Sequence, residues 1–255
     1  MNILEISLVF TICLILALLT YAKGMLNLSG AAAAFITGVI LGIQGGILWI
    51  LLLLLFLFSA FLATRYKFSY KEEKGFQEGI KGERGARNVL ANGLIPMAIA
   101  LFHQPLYYDN ILGIGFIPHH IATFLFITSV ASAASDTLAS EMGIISDKVY
   151  LITNFKKVKA GTNGGISLLG EFWSFFGALY TFAVAYTLFG LLEYSSISMK
   201  WILFGIVMSF LSCQIDSVLG ATLERKNIIG KSTVNMLAIM TTVMITGLII
   251  WLISL

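Results

Sequence analysis

Three stretches of this chain, Leu4–Ala22, Ile47–Thr64 and Met236–Leu255, each run for close to twenty residues, and Glu5 is the only charged side chain among them. A helix needs about 20 mostly apolar residues to cross the hydrocarbon core of a bilayer. Lipid offers no partner to backbone N–H and C=O groups, so the spans must be helical and satisfy those groups internally. The whole chain is 58% hydrophobic and 11% charged, whereas soluble domains carry roughly 25% charged residues. A water-soluble fold is thereby excluded, and an all-α, polytopic membrane bundle forming one domain over residues 1–255 is expected. Five less uniform segments complete about eight spans: Met25–Ile43, Val89–Tyr107, His120–Glu141, Leu168–Leu192 and Trp201–Leu223. The first of them holds Asn27, Ser29, Gly30, Gly38, Gly42 and the run Ala31–Ala34, a composition suited to close packing inside a bundle.

Orientation follows from the basic residues, which accumulate in cytoplasmic loops. With the N-terminus outside, eight spans leave cytoplasmic loops at about 65–88, 142–167 and 224–232. Fifteen of the sixteen Lys and Arg residues then lie inside, with Lys200 outside. His103, His119 and His120 fall on the external side, which argues against a cytosolic site built on histidine. The charge of +3 reflects topology and does not point to nucleic acid. Lys71, Lys74 and Lys81 read as solvated members of the basic loop. The first span is followed by a single lysine and no small-residue cleavage site, so a retained helix is expected. Cys13 and Cys213 lie within spans as small hydrophobes, with no disulfide framework implied.

Two segments offset by 80 positions (129 to 209) carry one pattern: Ser129, Ser132, Asp136, Thr137, Ser140 and Ser209, Ser212, Asp216, Ser217, Gly220. The spacing of three, four and four places these groups along one helical face. Each of these spans bears a polar stripe leading to an aspartate near its cytoplasmic end, in a parallel internal repeat. A further carboxylate follows each, Glu141 or Glu224, and then a segment rich in glycine and amides: Lys159-Ala160-Gly161-Thr162-Asn163-Gly164-Gly165 and Gly230-Lys231-Ser232-Thr233-Val234-Asn235. A third such segment, Lys81–Gly93, precedes the fourth span and holds Arg84, Arg87, Asn88 and Asn92.

An ionised carboxylate within a span costs roughly 2.5–3.5 kcal/mol on insertion scales, so it needs a partner. Two hard oxygen ligands suit Mg²⁺, which binds through one or two carboxylates together with waters and substrate phosphates. Lysine, arginine and backbone amides in glycine-rich turns suit the phosphates. These are parts for phosphoryl transfer, in which catalysis is mostly positioning and charge stabilisation. Two other readings use the same aspartates: buried pairing with a lysine or arginine, and ion or proton coupling in a secondary transporter. Coupling carboxylates usually sit near the bilayer midplane, whereas Asp136 and Asp216 lie within a few turns of basic loops. Glu171, near the start of its span, reads equally as an extra ligand or as a partner of the helix dipole. Gly230-Lys231-Ser232 matches only the end of a Walker A loop.

The blocks Arg87-Asn88-Val89-Leu90-Ala91-Asn92-Gly93, Asp136-Thr137-Leu138-Ala139-Ser140-Glu141-Met142-Gly143, Gly161-Thr162-Asn163-Gly164-Gly165-Ile166-Ser167 and Asp216-Ser217-Val218-Leu219-Gly220-Ala221-Thr222-Leu223-Glu224 resemble, in that order, those of the membrane-protein family that includes plant phytyl-phosphate kinase and the transmembrane protein nineteen relatives of animals. The resemblance runs from about Arg84 to Asn235. It implies transfer of a nucleotide γ-phosphate, with CTP as the expected donor, to an isoprenoid monophosphate in the membrane. On that basis Asp136 and Asp216, helped by Glu141 and Glu224, are expected to hold Mg²⁺. Arg84, Arg87, Lys159 and Lys231 are expected to hold phosphate oxygens. Asn88, Asn92, Gly161, Thr162, Asn163, Gly164, Ser140, Ser217 and Asn235 are expected to line the nucleotide and substrate site. The isoprenoid tail is expected in a groove along Ser129–Ser132 and Ser209–Ser212, beside Ala133 and Leu211. A prokaryotic plasma membrane, with the site on its cytoplasmic face, is the expected location.

Overall fold

The computed structural model describes residues 3–104, 115–192 and 198–254. The far ends of two expected spans, at Tyr107 and Leu255, lie outside these residues. Seven described helices are long and apolar enough to cross a membrane: α1 (Ile3–Ala22), α2 (Leu28–Gly45), α3 (Ile47–Arg65), α6 (His119–Gly143), α7 (Leu168–Leu192), α8 (Met199–Leu219) and α9 (Lys231–Ser254). Helix α5 (Ala86–Phe102), expected as a span, is apolar but shorter at seventeen residues, and α4 (Phe68–Glu73) is a short helix between α3 and α5. The chain is an integral membrane helical protein.

Helix α6 occupies the centre, packed against α3, α5, α7, α8 and α9. Its composition explains the position. Ala131, Ala133, Ala134, Ser129, Ser132 and Ser135 are all buried, and small side chains let neighbouring backbones come close where lipid gives no hydrophobic drive for helix association. At Gly177 of α7 a Cβ would stand 2.9 Å from the Ala134 backbone, so the two helices touch main chain to main chain. Several hydroxyls of α6 are returned to the carbonyls one turn back, Thr128 to Phe124 and Ser132 to Thr128. Larger groups fill the outer half of the core, where Trp49 of α3 stacks on Phe126 at a centroid distance of 4.0 Å.

Contacts fix the relative direction of α6 and α8. Ser209 Oγ donates to the Thr128 carbonyl, and Asp216 meets Asp136 within hydrogen-bonding reach. Both helices therefore advance in the same direction, from 128 to 136 on one and from 209 to 216 on the other.

The segment after α6, expected as a loop, folds into a three-stranded antiparallel sheet in which β3 (Val149–Leu151) lies between β4 (Lys157–Val158) and β5 (Gly165–Ile166). Strands of two or three residues are too short to leave a period in the sequence. At the opposite end of the bundle β1 (His103–Gln104) pairs with β2 (Ile117–Pro118), and His103 Nε2 lies 2.7 Å from His119 Nδ1. Helix α8 ends in a π-helical turn, Gly220–Glu224. Such single turns are rare and are found mostly as local insertions, often at functional sites.

Candidate functional site

The basic loops gather at one end of the bundle. Lys231 Nζ donates to Glu78 Oε1 at 3.0 Å, joining the start of α9 to the loop after α4. Gly161 approaches the Phe76 ring so closely that a Cβ would lie 2.8 Å from it. Burial pushes the Glu78 carboxyl up, but the charge and hydrogen bond of Lys231, with the charge of Arg84, outweigh burial and hold it below the ordinary carboxylate value.

Beneath these loops a cavity of about 190 Å³ is lined by Asp136, Ser140, Gly161, Thr162, Asn163, Gly164, Asp216, Ser217, Glu224 and Lys231. A single water needs only about 10–15 Å³ by the same measure, so a phosphate group with a hydrated cation has room. Ten residues expected at the site from four separate segments thus share one wall. Asn235 joins them through its Nδ2, which donates to Asp136 Oδ2 at 3.2 Å. Glu171 also lines the cavity, and its Oε2 accepts from Gln214 Nε2 at 2.7 Å.

Main-chain contact holds the glycine loop over the aspartates. Gly164 has φ +75°, and a Cβ there would stand 2.4 Å from Ala221 Cβ and 2.5 Å from Ala221 N. The π-helical turn supplies that surface, so the turn and the loop form one unit that only glycine permits.

The arrangement of Asp136 and Asp216 suits a cation. The two carboxylates sit within hydrogen-bonding reach of each other, and Asp216 Oδ1 is buried without a hydrogen-bond partner. Like charges so close need a cation or a shared proton. Among the described residues no cluster of three or more His, Cys, Asp or Glu groups is placed to hold a metal. A two-carboxylate set completed by water and phosphate oxygens is the mode that Mg²⁺ favours.

Several expected members of the site lie elsewhere. Glu141 faces away from the aspartates and is 6% exposed. Its Oε2 accepts from Lys71 Nζ at 2.7 Å and its Oε1 from Thr64 Oγ1 at 2.7 Å and Arg84 at 3.3 Å. The expectation that Glu141 holds metal is corrected by helix geometry: five residues beyond Asp136 turn it roughly 140° around the axis at 3.6 residues per turn. Lys71, read as solvated, is fully buried and also donates to the Ala63 carbonyl at 2.8 Å, capping the end of α3. Arg84, Asn88 and Asn92 line a different, apolar cavity. Arg87 and Lys159 are exposed and line neither. The expected tail groove is a closed interface instead, since Ser129, Ser132, Ala133, Ser209 and Ser212 are buried between helices while Leu211 is 42% exposed on the outer face. Lys71 was misread and Glu78, Thr64 and Gln214 were missed because a lone charged residue in a loop, or a lone polar residue in a span, carries no periodic signal.

Compared with known sequences, residues 11–251 match a family described as integral membrane protein DUF92. Similar proteins include an uncharacterized membrane protein of Methanocaldococcus jannaschii, 34% identical over 231 residues that cover 90% of this chain and 87% of that protein. Protein PGR of Arabidopsis thaliana is 30% identical over 249 residues, covering 89% of this chain and 85% of its own length. The chloroplastic protein VTE6 of Arabidopsis thaliana is 34% identical over 146 residues, 57% of this chain and 42% of VTE6. No solved structure matches.

Proposed function

The chain belongs to the DUF92 family of integral membrane proteins, and from that premise we propose that it is a prenyl-phosphate kinase, transferring the γ-phosphate of a nucleoside triphosphate to an isoprenoid monophosphate. The observation that carries this reading is the pair of aspartates, contributed by matching positions of α6 and α8, that meet under a glycine loop beside Lys231. The likeness to VTE6 and the motif blocks that resemble plant phytyl-phosphate kinase supply the chemical class. CTP is the proposed donor, and a prokaryotic plasma membrane, with the loop end facing the cytoplasm, is the proposed setting.

In this reading Asp136 and Asp216 hold Mg²⁺, with Glu224 at the margin of the same cavity. When bound, the ion would neutralise phosphate charge as it develops during transfer. Asn235 orients the Asp136 carboxylate through its 3.2 Å hydrogen bond. Lys231 supplies positive charge at the mouth, held in place by Glu78. The loop 161–165 and the hydroxyls of Ser140 and Ser217 line the space for the transferred group. An oxygen of the acceptor monophosphate attacks the γ-phosphorus, the bond from that phosphorus to the β,γ-bridging oxygen breaks, and its electron pair leaves with the nucleoside diphosphate. The acceptor is already ionised, so no strong general base is required. Of the carboxylates that line the cavity among the described residues, Asp136 and Asp216 are assigned to the metal, and Glu171 is held by Gln214.

The test is incubation of the purified protein in detergent with Mg²⁺, labelled nucleotides and a panel of prenyl monophosphates and alcohols. A labelled prenyl diphosphate is the expected product. Cation or proton flux in vesicles, dependent on the same aspartates and without any phosphorylated lipid, would overturn the reading.

A further inference from the structure

A second cavity lies among α1, α2, α3 and α5, and its walls include Leu16, Ala17, Ala34, Leu53 and Leu57. Its polar lining collects at one end, where Arg84, Asn88 and Asn92 stand. Two further wall residues, Thr20 and Thr37, return their hydroxyls to carbonyls of their own helices, Ala17 and Ala33. Arg84 is 6% and Asn92 5% exposed, yet Arg84 Nε and Asn92 Oδ1 are buried with no hydrogen-bond partner. A buried guanidinium N–H left without an acceptor is unfavourable unless something completes it.

The cavity also has a way out. It shares Leu16, Thr20 and Leu54 with a broader apolar groove that continues past Leu19, Leu55 and Phe58. Helix α1 packs on α2 while its contact with α3 is slight, so the groove opens sideways between α1 and α3. Along α3 the cavity wall runs from Ile50 to Ala60, ten residues or about 15 Å of helix. The shape is a narrow apolar channel, closed at one end by a cation and open at its flank to lipid.

We propose that this channel is the acceptor site, holding the tail of a single-chain isoprenoid monophosphate with its phosphate on the free Nε of Arg84. Arg84 is also tied to the polar interior of the bundle. It donates to Glu141 and Thr64 of the buried polar cluster, and its charge acts on Asp136 across the bundle. The identity of the headgroup rests on the kinase reading, whereas the site and its single-chain occupant rest on the channel itself. A two-chain phospholipid fits such a channel poorly, since its second chain would have to remain in the groove.

The experiment is photo-crosslinking of the purified full-length chain in nanodiscs with farnesyl monophosphate bearing a terminal diazirine, followed by mapping of the labelled residues. Label is expected on the channel wall, at Leu16, Leu53 or Leu57. Unlabelled farnesyl monophosphate should compete and phosphatidylglycerol should not. Ala34→Phe should lower labelling at least fivefold with the thermal midpoint retained, and Leu53→Trp serves the same purpose if Ala34→Phe does not fold. Label confined to the outer faces of α7, α8 and α9, labelling unchanged in the folded blocking variant, or equal competition by phosphatidylglycerol would each overturn the proposal. Labelling of the channel without diphosphate formation would uphold it while removing the kinase reading. Diphosphate formation without channel labelling would do the reverse.

Discussion

Replacing Glu141 by glutamine should destabilise this protein more than replacing Lys71 by methionine, and the charges of the buried cluster say why. Lys71, Arg84 and Glu141 are buried together, two cations around one carboxylate, with Glu141 receiving Lys71 at 2.7 Å and Arg84 at 3.3 Å. Lys71→Met leaves one cation facing one anion. What is lost is one charged pair and the capping of the Ala63 carbonyl, and hydrogen bonds to charged groups contribute about 1.5–3 kcal/mol each. Glu141→Gln leaves two buried cations facing a neutral amide. Breaking a buried pair so that charge is uncompensated costs about 3–5 kcal/mol. The assay is the unfolding midpoint of both single variants and the double variant in one detergent, arranged as a double-mutant cycle. The double variant should be less destabilised than Glu141→Gln alone, because it removes one of the stranded cations. If Lys71→Met proved as damaging as Glu141→Gln, Arg84 would not be balancing Glu141 and the charge count would be wrong. Residual activity of Glu141→Gln should keep its Mg²⁺ dependence, since the side chain stands outside the aspartate cavity.

Asp136→Asn and Asp216→Asn should each lower turnover about 10²–10³-fold, the usual loss for one preorganised electrostatic contact, while folding and insertion are retained; near-normal turnover at low Mg²⁺ would release that aspartate from metal binding. Gly164→Ala should abolish or strongly weaken activity, because the new Cβ meets Ala221 Cβ at 2.4 Å and the backbone sits at φ +75°. Ala221→Gly should not restore it, since the Ala221 backbone also lies in the way, and full rescue in kinetic assays would contradict the packing described. Glu78 is held below its ordinary carboxylate value of 4.5 by Lys231 and Arg84 against the push of burial, so its contribution to stability is present above that value and lost as the pH falls through the lower folded-state value. The Lys231 side chain is 59% exposed, which limits the contribution to about 0.2–1 kcal/mol. Unfolding free energies of Glu78→Gln and the parent should differ by that amount at pH 7 and converge in acid.

The sequence made the spans legible because length and hydropathy are local properties. Even α2, rich in glycine and alanine, is a helix with more than half its apolar window buried. Helix starts were less legible: α5 begins at Ala86, not Val89, because Gly85 and the contact of Arg84 with Met25 and Asn27 set the boundary through tertiary structure. The aspartate cavity was readable because its two carboxylates repeat at matching helical positions and the glycine loop follows in the chain. Glu141 was misplaced because nearness in sequence was read as nearness in space, although five residues on a helix turn a side chain to another face. Membership of one basic, amide-bearing segment grouped Arg84, Asn88 and Asn92 in the reading of the sequence. It did not foretell which cavity they face, because that depends on how α5 packs against α2 and α6.

The central claim is that Asp136 and Asp216 form one phosphoryl-transfer site, and its most direct test is product analysis of the purified protein given Mg²⁺, γ-labelled CTP and farnesyl monophosphate. The account predicts label in farnesyl diphosphate with the parent protein, and product reduced at least a hundredfold with either Asp136→Asn or Asp216→Asn. The contradicting result is no labelled lipid with any nucleotide or acceptor tested, from folded protein whose vesicles move a cation or protons in a manner abolished by the same two substitutions.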